Sequence, residues 1–416
     1  MERIVATYLI ETPLSPEAAA KALANMSTGT FVEVPGETAE LKARFGARVE
    51  RVTPLDRSST PALPGSRPAD ATSYTRAEVV LSWPLENIGT NLPTLLAMVR
   101  GNFYEMAEVS GLRLMDLDLP EAFAQAYPGP QFGIEGTRRL TGVPDRPLIG
   151  TIVKPNVGLT PQQTGDLARQ LAQAGVDFIK DDEAMADPAH SPLRQRVAAV
   201  MQALDEAAQS TGRKVMYAVN ITDELEQMYR HHDAVVAAGG TCVMVSLNSI
   251  GFVALSALRR RCQVAIHGHR NGWGMYNRHP LLGVEFAPYQ KLWRLAGADQ
   301  LHVNGLANKF WEPDEMVLRS FRACLAPMFN LRRPMPVVGS GQWAGMAERT
   351  YQLTGTTDLL FISGGGILGH PGGAAAGVTA IRQAWDAAVR GIPLAEHART
   401  HEELRAALEK FGKRKA

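Results

Sequence analysis

Cysteine is scarce in this chain: Cys242, Cys262 and Cys324 stand far apart, with no CxxC pair and no Cys/His cluster. That excludes a disulfide framework and a thiolate zinc site, and it fits unpaired thiols in a reducing compartment. An excess of one charge sign is missing too. With a formal net charge of +1 and no basic block beyond Lys413 to Lys415, neither a nucleic-acid partner nor a membrane surface is expected. No apolar run is long enough to cross a bilayer, and Met1-Glu-Arg-Ile4 has no signal-peptide pattern, so a cytoplasmic location is expected. An early GxGxxG is also lacking, which weighs against an open dinucleotide-binding sheet.

What is present is a globular composition, 45% apolar and 20% charged, spread over 416 residues. That length exceeds one ordinary core and suggests two domains. In the first part, Ile4 to Glu11, Arg48 to Val52, Ala77 to Ser82 and Gly111 to Leu119 read as strands, and Phe31 to Val34 as a further extended run. Pro16 to Ala24 and Leu92 to Arg100 read as helices, Ser27 to Thr30 as a loop, and Thr53 to Thr72 as a Pro/Ser-rich loop. The expectation is a small α+β, ferredoxin-like domain over residues 1–126, then a connector over 127–146 punctuated by Pro128-Gly-Pro130.

From Pro147 the rhythm changes. Short apolar runs at Leu148, Val176, Val215, Thr241, Gln263, Asp299, Pro336 and Asp358 alternate with amphipathic stretches such as Pro161 to Ala174 and Glu312 to Ala326. About eight βα units predict an α/β fold, a (β/α)8 TIM barrel over 147–416 with a C-terminal helical tail. Chemistry in such a barrel collects at the C-terminal strand ends.

Each run ends on polar, ionisable or glycine residues: Lys154-Pro-Asn156, Lys180-Asp-Asp-Glu183, Asn220, Ser246-Leu-Asn248, His267-Gly-His-Arg270, His302-Val-Asn304, Gly339-Ser-Gly-Gln342 and Ser363-Gly-Gly-Gly366. Taken alone, the acidic run after Lys180 reads as a solvated turn. In this company it reads as a hard-cation site of the Mg2+ type, because a compact divalent ion takes carboxylate oxygens and keeps open positions for substrate. Lys180 is the odd member: an ammonium repels a cation, whereas a carbamate on that nitrogen is another anionic oxygen ligand. Glycines let backbone N–H groups approach an anion, so the ends after the seventh and eighth runs suggest a phosphate cradle. The planar fork of Arg270 suits a second anionic group or a polyhydroxyl chain, and its bland alternative is a structural ion pair. His190, His231, His232 and His279 read as surface or structural, and Trp293 and Trp311 as packing.

These segments, with Ser27-Thr-Gly-Thr30, Gly101-Asn102, Gly150-Thr-Ile-Val-Lys-Pro155 and Gly364-Gly-Gly-Ile-Leu-Gly-His-Pro371, resemble the large subunit of ribulose bisphosphate carboxylase (RuBisCO) over nearly the whole chain. The resemblance is to the RuBisCO-like proteins of form IV, in their non-photosynthetic branch. It implies a carbamylated Lys180 (N6-carboxylysine), with CO2 as its source, and Asp182 and Glu183 as the other Mg2+ ligands. It implies that Lys154 handles the proton at the reacting carbon, that His269 acts on substrate hydroxyls, and that Lys309 is the lysine of a mobile loop. Thr30, Gly364 and Gly365 would form one phosphate site, and Arg270, His302 and Ser340 the other. Asn102 would reach the partner's metal in a homodimer with shared sites and no small subunit.

The departures from the family pattern are Asn156 for a second lysine, Asn25 for the glutamate that pairs with the loop lysine, Phe31 for a tryptophan and Gln342 for a glycine. Without that glutamate, bisphosphate carboxylation is not expected. The resemblance implies enediolate chemistry, with decarboxylation of 3-oxo-isoapionate 4-phosphate to an erythrulose phosphate as the leading expectation. The alternatives are a transcarboxylase/hydrolase reaction giving glycolate and 3-phosphoglycerate, a methylthio-pentulose phosphate enolase or isomerase, and a catalytically silent relative.

Overall fold

The computed structural model describes residues 2–29 and 35–414, so Thr30 and the run from Phe31 to Val34 lie outside the described residues. Four strands come first: β1 (Arg3–Thr12), β2 (Arg48–Ser58), β3 (Tyr74–Pro84) and β4 (Gly111–Asp118). Then follow β5 (Leu148–Ile152), β6 (Phe178–Lys180), β7 (Met216–Asn220), β8 (Cys242–Ser246) and β9 (Ala265–His269). The last are β10 (Leu282–Val284), β11 (Gln300–His302), β12 (Met335–Val338) and β13 (Leu360–Ile362).

The chain divides into two compact units, Met1–Pro128 with Gly272–Leu295, and Gly129–Asn271 with Ala296–Ala416. In the first, a sheet of order β10-β4-β1-β3-β2 buries one face. Alternation along β1 places Ile4, Ala6, Tyr8 and Ile10 at 0% exposure, as a strand with one wet face requires. The first helix, Pro16–Thr28, is capped by Ser15 and runs one turn beyond the expected stop into the stretch read as a loop. At the sheet edge, β2 continues to Ser58 through residues also read as loop. It is almost wholly exposed and bulged beside Pro54, so it carries the polar residues of an edge strand. The excursion 272–295 contributes β10, which pairs in parallel with β4, and Glu285, which takes the buried Arg113 at 2.9 Å. With three residues and one buried, β10 has no apolar run to announce it, and it lies inside the stretch expected to be barrel.

In the second unit the parallel strands close as β11-β12-β13-β5-β6-β7-β8-β9. All eight lie where the sequence runs predict them, because strands buried on both faces are mostly apolar rather than alternating. Leu148, Phe178, Met216, Met244, Val337 and Leu360 share its core. Asp299, fully buried just before β11, accepts from the N–H groups of Phe132 at 2.5 Å and Gly133 at 3.0 Å, at the start of the helix Gly133–Thr141. It also takes Ile266 N at 2.8 Å and Arg259 Nη1 at 2.9 Å. The N-terminal strand ends are thus tied by structural polar groups, and the opposite rim carries the chemistry-bearing side chains. No helix among the described residues is long and apolar enough to cross a membrane.

Candidate active site

At the ends of β5 and β6, the side chains that the sequence singled out meet. Lys154 Nζ reaches Asp182 Oδ2 at 2.5 Å, and Asn156 Nδ2 donates to Asp182 Oδ1 at 3.2 Å. Lys180 is completely buried and donates to Glu183 Oε2 at 3.1 Å and to the Asp181 carbonyl at 2.9 Å. From β7, Asn220 Nδ2 holds the carbonyls of Asp182 at 3.1 Å and Glu183 at 3.2 Å, which fixes the turn that presents both carboxylates.

The third carboxylate of the run points elsewhere. Asp181 accepts from Tyr217 Oη at 2.5 Å, Asn220 N at 2.9 Å and Arg196 Nη2 at 3.2 Å, and both members of the Arg196 pair are fully buried. It is a structural anion, and its neighbours in sequence are the site.

Burial disfavours charge on Lys180 and lowers its pKa, opposed by Glu183 and the two aspartates. Desolvation would raise Glu183, but Lys180 and His269 outweigh it and hold that carboxyl at about 2. Among the described residues no three His, Cys, Asp or Glu side chains surround one point as metal ligands. A hard cation at Asp182 and Glu183 therefore needs a further anionic oxygen. Lys180 fits that requirement as a carbamate, since burial shifts its amine toward the neutral, nucleophilic form that CO2 attacks. The donor set is then all oxygen, which suits Mg2+ better than zinc.

Three histidines line the neighbouring strand ends. His269 Nε2 lies 3.5 Å from Glu183 Oε2, and its ring packs on His302 with centroids 4.3 Å apart. His302 meets His267 Nε2-to-Nε2 at 2.9 Å, and His267 Nδ1 meets Gln300 Oε1 at 2.8 Å. Desolvation pulls His267 down to about 3 and His269 to about 4, and drives His302 well below its ordinary value. Burial thus favours the neutral imidazole at all three.

Arg270, buried, pairs with Glu312: Nη2 to Oε2 at 2.5 Å and Nη1 to Oε1 at 3.4 Å. Sequence reasoning missed Glu312 because it counted it into the following helix. That helix is Asp314–Leu325 with Pro313 at its N-cap, and the one available signal was that proline, which disfavours helical backbone at the residue before it. Asn304 and Ser340 both hold left-handed backbone, φ 65 and φ 68, and Ser340 Oγ donates to Asn304 Oδ1 at 2.7 Å. Strain of this kind concentrates at functional sites. Lys309 is exposed, with its N–H on the Ser340 carbonyl at 3.2 Å and its Nζ over the Phe310 ring. Gln342 is buried against Gly305, where a Cβ would stand 2.2 Å from its amide carbon, and it donates to the Leu306 carbonyl at 3.1 Å.

At the end of β13 a Cβ on Gly364 or Gly365 would meet nothing within 4 Å. Among the described residues the N–H groups of Gly364, Gly365 and Gly366 donate to nothing, which leaves three successive donors for an anion. Asn102 is exposed in the first unit, on the turn Asn102–Glu105. Thr30 is outside the described residues. His231 and His232 are buried on the helix Leu225–Ala237, bonded to Asp223 at 3.1 Å and Asp233 at 3.0 Å, so both are structural.

A closed barrel whose strand ends gather two lysines, two carboxylates, three neutral histidines and a glycine-lined anion cradle defines an α/β-barrel enzyme preceded by an α+β domain. The ribulose bisphosphate carboxylase large-chain catalytic-domain model matches residues 133–411, and the N-terminal-domain model matches residues 2–123. The chain belongs to the RuBisCO large-chain family. A 3-oxo-isoapionate-4-phosphate decarboxylase of Rhizobium etli is 52% identical over 98% of both chains. A 3-oxo-isoapionate-4-phosphate transcarboxylase/hydrolase of Xanthobacter autotrophicus is 52% identical over 98% of this chain and 99% of its own. The crystal structure of a RuBisCO-like protein from Burkholderia fungorum superposes with a TM-score of 0.93 at 47% identity, covering 98% of this chain and all of that one.

Proposed function

We propose that this RuBisCO-like enzyme decarboxylates 3-oxo-isoapionate 4-phosphate, a phosphorylated β-keto sugar acid, to an erythrulose phosphate. The observation that carries the reading is the convergence of Lys154, Asp182, Lys180 and Glu183 through contacts of 2.5 Å and 3.1 Å, beside neutral His269. Asp182, Glu183 and a carbamylated Lys180 would hold Mg2+, which would supply stabilisation of the negative charge that develops on the substrate oxygens.

The residues of this chain do the rest. The bond between the carboxylate carbon and its neighbour breaks, CO2 leaves, and the electron pair stays behind as an enediolate. Lys154 Nζ, beside Asp182, delivers a proton to that carbon. His269, kept neutral by burial, accepts or returns the proton of a substrate hydroxyl. Lys309 closes over the substrate with its loop, and the Gly364 to Gly366 amides take the phosphate. Asn102 completes the site of the partner subunit in a cytoplasmic homodimer.

Incubation with the β-keto acid phosphate, Mg2+ and bicarbonate tests this. CO2 release by wild type and its loss in Lys180→Ala are expected; no CO2 from wild type would remove the reading. The second reading, transcarboxylation and hydrolysis, is favoured by the equal 52% identity to the Xanthobacter protein. Glycolate and 3-phosphoglycerate among the products would establish it. A methylthio substrate is disfavoured by the polar cluster of Arg270, Asn304, Glu312 and Ser340, which offers a thioether nothing apolar.

A further inference from the structure

A phosphate dianion is held by N–H and O–H donors and by net positive charge. Around Arg270 the structure runs the other way. Both terminal nitrogens of Arg270 go to the Glu312 carboxylate, whose side chain is 1% exposed, so the pair is close to neutral. Glu312 can only accept, so the Asn304 amide, 2.5 Å away, turns its NH2 toward it and its oxygen toward Ser340. The Ser340 hydroxyl hydrogen is therefore committed to Asn304 at 2.7 Å, and what remains on Ser340 Oγ is lone pairs.

A second relay ends the same way. Gln300 Nε2 lies 3.4 Å from Met216 Sδ and 3.2 Å from Thr137 Oγ1. A thioether cannot donate, so the amide nitrogen faces it and Oε1 faces His267. His267 then carries its proton on Nδ1, its bare Nε2 accepts from His302 Nε2–H, and His302 keeps a lone pair on Nδ1. Among the described residues nothing hydrogen-bonds that Nδ1.

We infer that the cluster of Arg270, His302 and Ser340 receives an unphosphorylated, hydroxyl-bearing end of the substrate, the single phosphate going to the Gly364 to Gly366 amides. Glu312 and Gln300 are the positioning residues that set this polarity. The inference rests on the sugar-phosphate reading above and deepens it: selection of a monophosphate over a bisphosphate is built into the site.

The test is calorimetry on the Mg2+- and bicarbonate-treated enzyme with erythrulose 4-phosphate and with ribulose 1,5-bisphosphate. Wild type should bind the bisphosphate about ten-fold or more weakly, since a second phosphate would face lone pairs and a neutralised arginine. Glu312→Gln, which removes the carboxylate charge paired with Arg270, should erase most of that difference. Two measurements need no variant. Wild-type crystals soaked in inorganic phosphate should show it at Gly364 and Gly365, and nitrogen NMR of histidine-labelled enzyme should read His302 as the Nε2–H tautomer. Equal or tighter bisphosphate binding, phosphate density at Ser340 and His302, or an Nδ1–H signal would overturn the assignment while leaving the decarboxylase reading standing. Binding of neither sugar phosphate would overturn both.

Discussion

Lys154 Nζ stands 2.5 Å from Asp182 Oδ2, so the proposed proton donor and a proposed metal ligand form one ion pair across neighbouring strand ends. The Lys154 side chain is 45% exposed, and such a pair contributes only about 0–1 kcal/mol to folding. Its importance is chemical. Lys154→Met should leave the melting temperature nearly unchanged and lower kcat by about 10²–10⁴-fold, the usual range for a lost general acid. Mg2+ binding, read by calorimetry, should persist or tighten, because Asp182 loses a competing cation.

Asp181 and Asp182 are adjacent in sequence and should fail differently. Asp181→Ala strands fully buried Arg196 without its carboxylate, and breaking such a pair costs about 3–5 kcal/mol. Asp182→Asn should be near neutral in a urea titration and severe for Mg2+-dependent activity. The reverse pattern would mean that the roles of the two side chains have been exchanged.

The histidine cluster gives the fold an acid limit. Burial holds His267 down to about 3 and His269 to about 4, while an unfolded chain takes up protons below about 6.5. Their contribution is fully present above that value and is lost as pH falls from it toward the folded values. Stability should drop by an amount on the order of a few kcal/mol between about pH 7 and pH 4. Urea midpoints across that range check it, and His267→Asn should flatten the slope.

Much of the side-chain cluster at the strand ends is legible in the sequence, because most barrel strands are largely apolar and give way to polar or glycine residues at their C-terminal ends. Lys154, Lys180, His269, Arg270, His302 and Gly364 all stand at such a transition. What could not be read was direction. Nothing in Asp181-Asp182 says which carboxylate faces Arg196, since that depends on a partner 15 residues away. Glu312 looked like a first helical residue, and Gln300 like a strand residue, until their hydrogen bonds gave each a role. The strands that escaped, β10 and the second half of β2, are short or exposed and so lack the apolar period on which strand reading depends.

The glycines after β13 separate a ligand cradle from a mere turn. At Gly364 and Gly365 the backbone is not left-handed and a methyl would touch no protein atom within 4 Å, so the fold does not require glycine there. At Gly366 it does: a Cβ would lie 2.4 Å from Ser363 Oγ and 2.9 Å from the Trp343 backbone. Gly364→Ala and Gly365→Ala should therefore change stability by less than about 1 kcal/mol. Both should raise KM for the phosphorylated substrate about ten-fold or more, because the methyl occupies the space through which phosphate oxygens reach the amides. Gly366→Ala should lower the melting temperature instead. Unchanged KM in the first two variants would mean that the phosphate does not bind at these amides.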